Sequence, residues 1–318
     1  MAFNNQVITL NDGNKIPQVG LGTWQNNDSE ATVNSIYQGI KIGYRHIDTA
    51  AIYCNEREVG LAIKKAIAEG IVKREDLYVV TKLWCTQHRS AQQAIKQSLE
   101  RLQLDYVDLY LMHIPVAFKT RTIDQSNPDN FLCIPRDPDN KSLTDVDFNW
   151  SFVDTYLSMQ HLKNEGLAKS IGVSNFSIKN LKELFKHPLL KIMPSVNQIE
   201  IHPLLPQDEL IEFCKEQDIV CEGYSPLGST SSPILSNETL VSIAEKLNID
   251  VAQVCISWAV QRGYVVLPKS SQVERIERNF NNLSKLSDED FATVSGLKEK
   301  YGELRFGKPN FSPFKVFE

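Results

Sequence analysis

The sequence of 318 residues predicts an α/β fold, a closed (β/α)8 TIM barrel with an N-terminal β-hairpin and long loops over one mouth. Short β-branched or apolar runs alternate with longer amphipathic stretches through eight units. Polar residues recur at the C-terminal ends of those runs, which is where a barrel builds its site.

The hairpin comes first, at residues 7–17, with Asn11-Asp12-Gly13 as its turn. A first barrel strand is expected near 18–20, followed by strands at 45–48, 78–82, 107–112, 169–173, 195–200, 220–224 and 265–267. Helical periodicity occupies 30–41, 56–68, 91–102, 152–164, 178–185 and 208–216, then the pair 239–247 and 251–260. An open doubly wound sheet would alternate in the same way, and the glycines argue against it. Gly20-Leu21-Gly22-Thr23-Trp24-Gln25 starts like a dinucleotide fingerprint, but Gln25 stands where the third glycine belongs and polar residues 26–29 follow. Residues 115–150, rich in Pro, Asp and Asn, interrupt the even spacing as a long loop after the fourth strand, either part of the mouth or an inert surface insertion.

Composition limits the function. With 42% hydrophobic and 23% charged residues the chain buries a large core, and we expect one domain, 1–318. A net charge of -5 with scattered Lys and Arg disfavours nucleic acid as a partner and favours a small molecule. Residues 1–9 lack a basic region and a long apolar core, and no run approaches the roughly 20 apolar residues of a bilayer span. The expectation is a cytosolic protein without a membrane partner. Six cysteines without CxxC pairs read as reduced thiols rather than a disulfide framework, and no metal site is expected. Helices that bury their apolar stripes internally make a monomer the default.

Asp48, Lys82 and His113 end successive candidate strands, and Tyr53 follows Asp48 on the adjoining loop. A tyrosine, with an ordinary pKa of about 10, becomes a usable acid when a neighbouring ammonium favours its phenolate. Lys82 supplies that charge, Asp48 orients Lys82, and His113 positions a carbonyl oxygen. Protonating a carbonyl oxygen also requires a hydride source, for which a reduced nicotinamide is the natural partner. Taken singly, each residue has a structural explanation: a rim ion pair for Asp48 and Lys82, a strand cap for His113, a loop aromatic for Tyr53.

After the last strand, Lys269, Ser270, Ser271 and Arg275 lead into a helix start, a set that grips an anion such as a 2′-phosphate. A helix capped by Ser270 or Ser271 with solvated charges is the plainer alternative. Ser174, Asn175 and Gln198 carry amide and hydroxyl groups suited to a carboxamide, while Tyr224-Ser225 offers a flat face for a ring. Trp24, Trp84 and Ile114 would form an apolar substrate wall beside Tyr53 and His113, or ordinary core.

These residues resemble the aldo-keto reductases nearly end to end, most closely the branch of NADP-dependent glycerol dehydrogenases and carbonyl reductases. The similarity is carried by Asp48-Thr49-Ala50-Ala51-Ile52-Tyr53-Cys54-Asn55-Glu56, Thr81-Lys82-Leu83-Trp84, Gly172-Val173-Ser174-Asn175-Phe176, Ile199-Glu200-Ile201-His202-Pro203 and Pro268-Lys269-Ser270. The resemblance implies NADPH/NADP+ on a (β/α)8 barrel and reduction of a small-molecule carbonyl substrate. It makes Tyr53 the general acid, Lys82 and Asp48 its tuning pair, and His113 the orienting group. By the same resemblance Ser174, Asn175 and Gln198 meet the carboxamide and Tyr224 stacks on the nicotinamide. Lys269, Ser270 and Arg275 take the 2′-phosphate end, and Asn279 approaches the adenine. Gly22, Thr23, Trp24, Asp48, Ser225 and Leu227 complete the cofactor wall.

This chain departs from many members at Ile114, where they carry tryptophan, and at Arg278, where they carry glutamate. Residues 301–318, with Arg305, Phe306 and Phe311, look like the variable C-terminal loop that selects substrates in the family. Aldose or xylose reductase is the competing activity, and an NADPH-sensing or structural protein is the competing class.

Overall fold

An Asn-Asp-Gly turn opens the computed structural model, which describes residues 3–26, 28–124, 126–228 and 232–317. Strand β1 (Val7–Thr9) pairs antiparallel with β2 (Lys15–Pro17), and Gly13, at φ 84°, takes the left-handed turn position that a side chain would strain. The hairpin covers the N-terminal end of the barrel, where Leu10 and Ile16 pack with Tyr78, Val80, Leu109, Leu111, Val196 and Val265. Ser170 Oγ donates to Asp12 and Asn11 Nδ2 donates to the Pro194 carbonyl, fastening the turn to the barrel.

Eight parallel strands follow: β3 (Leu21–Gly22), β4 (His46–Asp48), β5 (Tyr78–Leu83), β6 (Val107–Met112), β7 (Ala168–Ser174), β8 (Val196–Glu200), β9 (Val220–Tyr224) and β10 (Val265–Leu267). Each pairs with its successor, and the first and last meet through a parallel bridge between Val19 and Val266. Gly20 N donates to Val266 O at 2.9 Å and Val266 N to Gln18 O at 2.8 Å, so the sheet closes on itself. A (β/α)8 barrel results, as the alternation predicts.

The helices are α1 (Ser29–Ile42), α2 (Glu56–Ala68), α3 (Ala91–Leu102), α4 (Phe152–Asn164), α5 (Ile178–Phe185), α6 (Asp208–Glu216), α7 (Glu238–Leu247), α8 (Val251–Gln261), α9 (Val273–Asn281), α10 (Asp288–Ser295) and α11 (Leu297–Tyr301). Asp28, Ser151, Ser177, Asn237 and Ser287 cap α1, α4, α5, α7 and α10 by accepting from N–H groups of the first turn. The main core lies between the strands and this helical layer, with Ile47, Tyr110, Tyr156 and Trp258 fully buried. Among the described residues no helix is long and apolar enough to cross a membrane.

Two expectations need correction. The first barrel strand reaches further than 18–20, its ladder to β4 lying at Leu21 and Gly22, because Gly22 pairs with Asp48 while residues 18–20 pair with β10 on the strand's other flank. Helices α10 and α11 lie outside the predicted set: α10 opens on Asp288, Glu289 and Asp290 and carries too few apolar residues to mark a period, and α11 is little more than one turn. Residues 115–150 are tied to the mouth rather than inert: Phe118 bridges Val146, Arg136 bridges Thr144, and Phe118 and Val146 pack with Trp84, Ile114, Phe311 and Val316.

Candidate active site

Parallel strands all end at the same mouth, so the polar residues at their C-terminal ends converge. β4 ends with Asp48, β5 carries Lys82, and His113 follows β6. The 3-10 turn Ala51–Tyr53 after β4 brings Tyr53 over Lys82, and Cys54 takes a left-handed conformation to release the chain into α2. Lys82 is fully buried, and its ammonium donates to Asp48 Oδ1 at 2.7 Å, to the Thr49 carbonyl at 2.8 Å and to Tyr53 Oη at 3.4 Å. Three N–H groups thus meet three acceptors, which a buried ammonium requires. Because the Tyr53 oxygen accepts from Lys82, its own O–H remains free to be donated.

Electrostatics refine the sequence expectation. Burial pushes Tyr53 up to about 12; Lys82 pulls in the opposite direction, as anticipated, but burial together with Asp48 wins. Lys82 itself is held above its ordinary value, because Asp48 and Tyr53 outweigh the burial that disfavours its charge. His113 is pushed well below its ordinary value by burial, the Lys82 charge and His88. At neutral pH the site therefore holds a neutral phenol, an ammonium and a neutral imidazole. The Trp24 and His113 rings flank Tyr53 at centroid distances of 4.8 and 5.7 Å, and Trp84 meets His113 at 5.3 Å.

Beneath this cluster lies a residue that the sequence reading missed. Glu222, fully buried on β9, accepts from Gln198 Nε2 at 2.7 Å, while the same Nε2 donates to Asp48 Oδ1 at 2.8 Å. Both amide hydrogens of Gln198 are thereby used on carboxylates, so its oxygen serves as an acceptor. The reverse orientation would set that oxygen against two carboxylates. Glu222 Oε1 also lies 3.2 Å from His46 Nε2, in ion-pair contact rather than hydrogen-bond geometry. Burial opposes a charged His46, yet Glu222 keeps its pKa above the ordinary value. The signal for this pair was a glutamate inside an otherwise apolar strand, Cys221-Glu222-Gly223.

A cavity of about 1730 Å³ runs from this cluster to the start of α9. Gly22, Thr23, Trp24, Asp48, Tyr53, Trp84, His113, Ile114, Ser174, Asn175, Gln198, Tyr224, Ser225, Leu227, Lys269, Ser270, Arg275 and Asn279 all border it. Ser271 does not, and stays on the exposed surface, because the chain turns outward between Ser270 and the helix. Asn175 Nδ2 donates to the His113 carbonyl at 3.0 Å and its oxygen accepts from Tyr224 Oη at 2.8 Å, while Ser174 Oγ donates to the Gln198 carbonyl at 2.8 Å. Asn248, Asp250 and Gln253, absent from the sequence reading of the cofactor wall, also line the far end together with Arg278, which pairs with Asp250 at 3.2 Å, and Gln253 Nε2 donates to Asn279.

The far end is built for an anion. Lys269 and Arg275 form no ion pair among the described residues, and the burial that lowers Lys269's pKa is unopposed by any acid. The capping alternative fails: Gln272 precedes α9 without a side-chain cap, and Ser270 Oγ accepts from Gln272 N instead of from the helix. The first N–H groups of α9 remain available beside two cations. Such a cavity exceeds the roughly 300–1,000 Å³ of an ordinary ligand pocket, so it has room for an extended phosphate-bearing cofactor and a substrate together. Among the described residues no group of three or more His, Cys, Asp or Glu side chains could hold a metal ion.

A barrel whose mouth joins an acid–base cluster to an anion grip is the architecture of an oxidoreductase that works with a phosphorylated cofactor. The model of the Aldo/keto reductase family matches residues 18–299, and the chain belongs to that family. Glycerol 2-dehydrogenase (NADP(+)) of Saccharomyces cerevisiae is 49% identical over 315 residues, covering 99% of this chain and 98% of the relative. Aldehyde reductase YPR1 of the same yeast is 47% identical over 316 residues, 99% and 98% of the two chains. Aldose reductase B of Dictyostelium discoideum is 42% identical over 324 residues, covering both chains fully.

Proposed function

We propose that this protein reduces aldehydes and ketones to alcohols with NADPH, and that Tyr53 delivers the proton. The supporting observation is the free O–H of a half-buried, neutral Tyr53 that shares one cavity with two cations outside any ion pair among the described residues. NADPH, when bound, supplies the hydride. Lys269, Ser270 and Arg275 would hold its 2′-phosphate end, and Asn279 its adenine. Ser174, Asn175 and the acceptor oxygen of Gln198 would take the carboxamide, with Tyr224 against the ring and Gly22, Thr23, Trp24, Asp48, Ser225 and Leu227 along the wall.

At the other end, His113, as a neutral imidazole, has an N–H to give to the substrate oxygen. Tyr53 donates its proton to that oxygen, and the Lys82 ammonium stabilises the phenolate that remains. Asp48 keeps Lys82 charged and aimed. Trp24, Trp84 and Ile114 exclude water from the reacting carbon. Residues 1–318 are taken as one domain, acting as a cytosolic monomer; the six unbridged cysteines are compatible with that compartment.

The test is NADPH oxidation with an aromatic aldehyde, an activated keto ester, xylose and dihydroxyacetone, with NADH in parallel. Turnover led by the aldehyde or keto ester supports a carbonyl reductase, whereas a lead by xylose selects an aldose reductase. Tight NADPH binding without any turnover would overturn both.

The Tyr53 shift sets a pH dependence. A general acid must be protonated, so reduction is lost only as pH rises through a value near 12, and kcat for reduction should be level between pH 6 and 8. Alcohol oxidation needs the phenolate, so its rate should climb with pH throughout that window. Parallel pH profiles of kcat in both directions check this, and oxidation that falls as pH rises would contradict it.

A further inference from the structure

Arg136 borders the same cavity as Tyr53 and His113, yet no step of the proposed chemistry uses it. Its side chain is exposed, makes no ion pair among the described residues and donates no hydrogen bond there. Two acids near it in the chain are already engaged. Asp145 is gripped by Arg121 at 2.7 Å and approached by Lys119 at 3.5 Å, and Asp137 lies 3.7 Å from Arg121. Arg136 is left as a cation without a counter-ion in a segment dense with carboxylates.

The backbone that presents it is fixed on both sides. Arg136 bridges Thr144, Asp145 N donates to the Pro135 carbonyl at 3.0 Å, and Thr144 N donates to Ser312 O at 2.8 Å. Three residues earlier the Cys133 carbonyl accepts from Trp84 Nε1 at 2.7 Å, and the Trp84 ring lies against His113. Arg136 is therefore at most about 10 Å of chain from an anchor beside the reacting centre. Ile134, Ile114 and Phe311 line the cavity with it, so the cation stands at the edge of an apolar wall.

We propose that Arg136 is a specificity-determining residue that selects carbonyl substrates with a carboxylate several bonds from the reacting carbonyl. A guanidinium grips the planar carboxylate through two parallel N–H donors, and no neighbouring acid must be displaced first. One guanidinium without a second cation suits a monoanion; the doubly charged group belongs at the other end, beside Lys269 and Arg275. The inference rests on the carbonyl-reductase proposal and supplies its substrate class.

The experiment compares 4-carboxybenzaldehyde with its neutral methyl ester at saturating NADPH, in the unaltered protein and in Arg136→Gln. The unaltered protein should favour the carboxylate in kcat/KM, and Arg136→Gln should lower that preference about ten-fold or more, through KM, while turnover of the ester stays unchanged. The ester activity reports whether the variant is folded. A second measurement needs no variant: raising the salt concentration should raise KM for the carboxylate and leave the ester alone. Equal handling of both aldehydes by the unaltered protein, or an unchanged preference in Arg136→Gln, overturns the inference while leaving the reductase intact. Failure to reduce either aldehyde would remove the reductase proposal, and this inference with it.

Discussion

Tyr53→Phe should lower kcat for carbonyl reduction by about 10²–10⁴-fold while leaving NADPH affinity unchanged, because a positioned general acid contributes on that order. The variant keeps the ring that packs on Trp24 and removes only the oxygen that accepts from Lys82. Lys82 keeps its two short bonds, to Asp48 at 2.7 Å and Thr49 at 2.8 Å, and loses only the longest, at 3.4 Å, so the fold should survive. Steady-state kinetics together with a fluorescence titration of NADPH separate the two effects. Undiminished turnover in the Tyr53→Phe variant would remove the phenol from the mechanism.

The second large effect concerns the cofactor. Lys269→Met combined with Arg275→Gln should weaken NADPH about 10²-fold and leave NADH nearly unaffected. Hydrogen bonds to charged groups contribute roughly 1.5–3 kcal/mol each, and the solvent-facing position of these two places them at the lower end. Titrating both cofactors against the double variant is decisive. A parallel loss of NADH binding would mean that the two cations support the fold of the α9 entrance rather than a 2′-phosphate.

Much of this site was legible because a barrel converts strand order into proximity. Asp48, Lys82 and His113 could be paired from sequence since each lies at or next to the C-terminal end of a strand, and parallel strands of one barrel share a mouth. The Asn-Asp-Gly turn likewise announced the hairpin. What escaped depends on contacts between distant strands. Glu222 reads as an oddity in β9 until β8 brings Gln198 alongside it, and only then does the amide shared with Asp48 become visible. Ser271 lies off the cavity for the opposite reason: composition puts it in the anion cluster, but which of two adjacent serines faces the cavity is decided by the local turn. The balance at Tyr53 was equally hidden, since sequence names the ammonium but not the depth of burial opposing it.

The closure between Val19 and Val266 has its own consequence. Gly22 N donates to Pro268 O at 3.0 Å, and Lys269 Nζ reaches the Gln25 carbonyl at 3.5 Å, so the first and last strands meet directly under the cavity. Residues 22–25 line it from one flank of this seam, while Leu267, Lys269, Ser270 and Arg275 line it from the other. A molecule lying along the cavity is a clasp across the point where the barrel's first and last strands are zipped together. Cofactor affinity and resistance of the barrel to opening are then coupled quantities: each tenfold excess of ligand over its dissociation constant adds about 1.4 kcal/mol against unfolding.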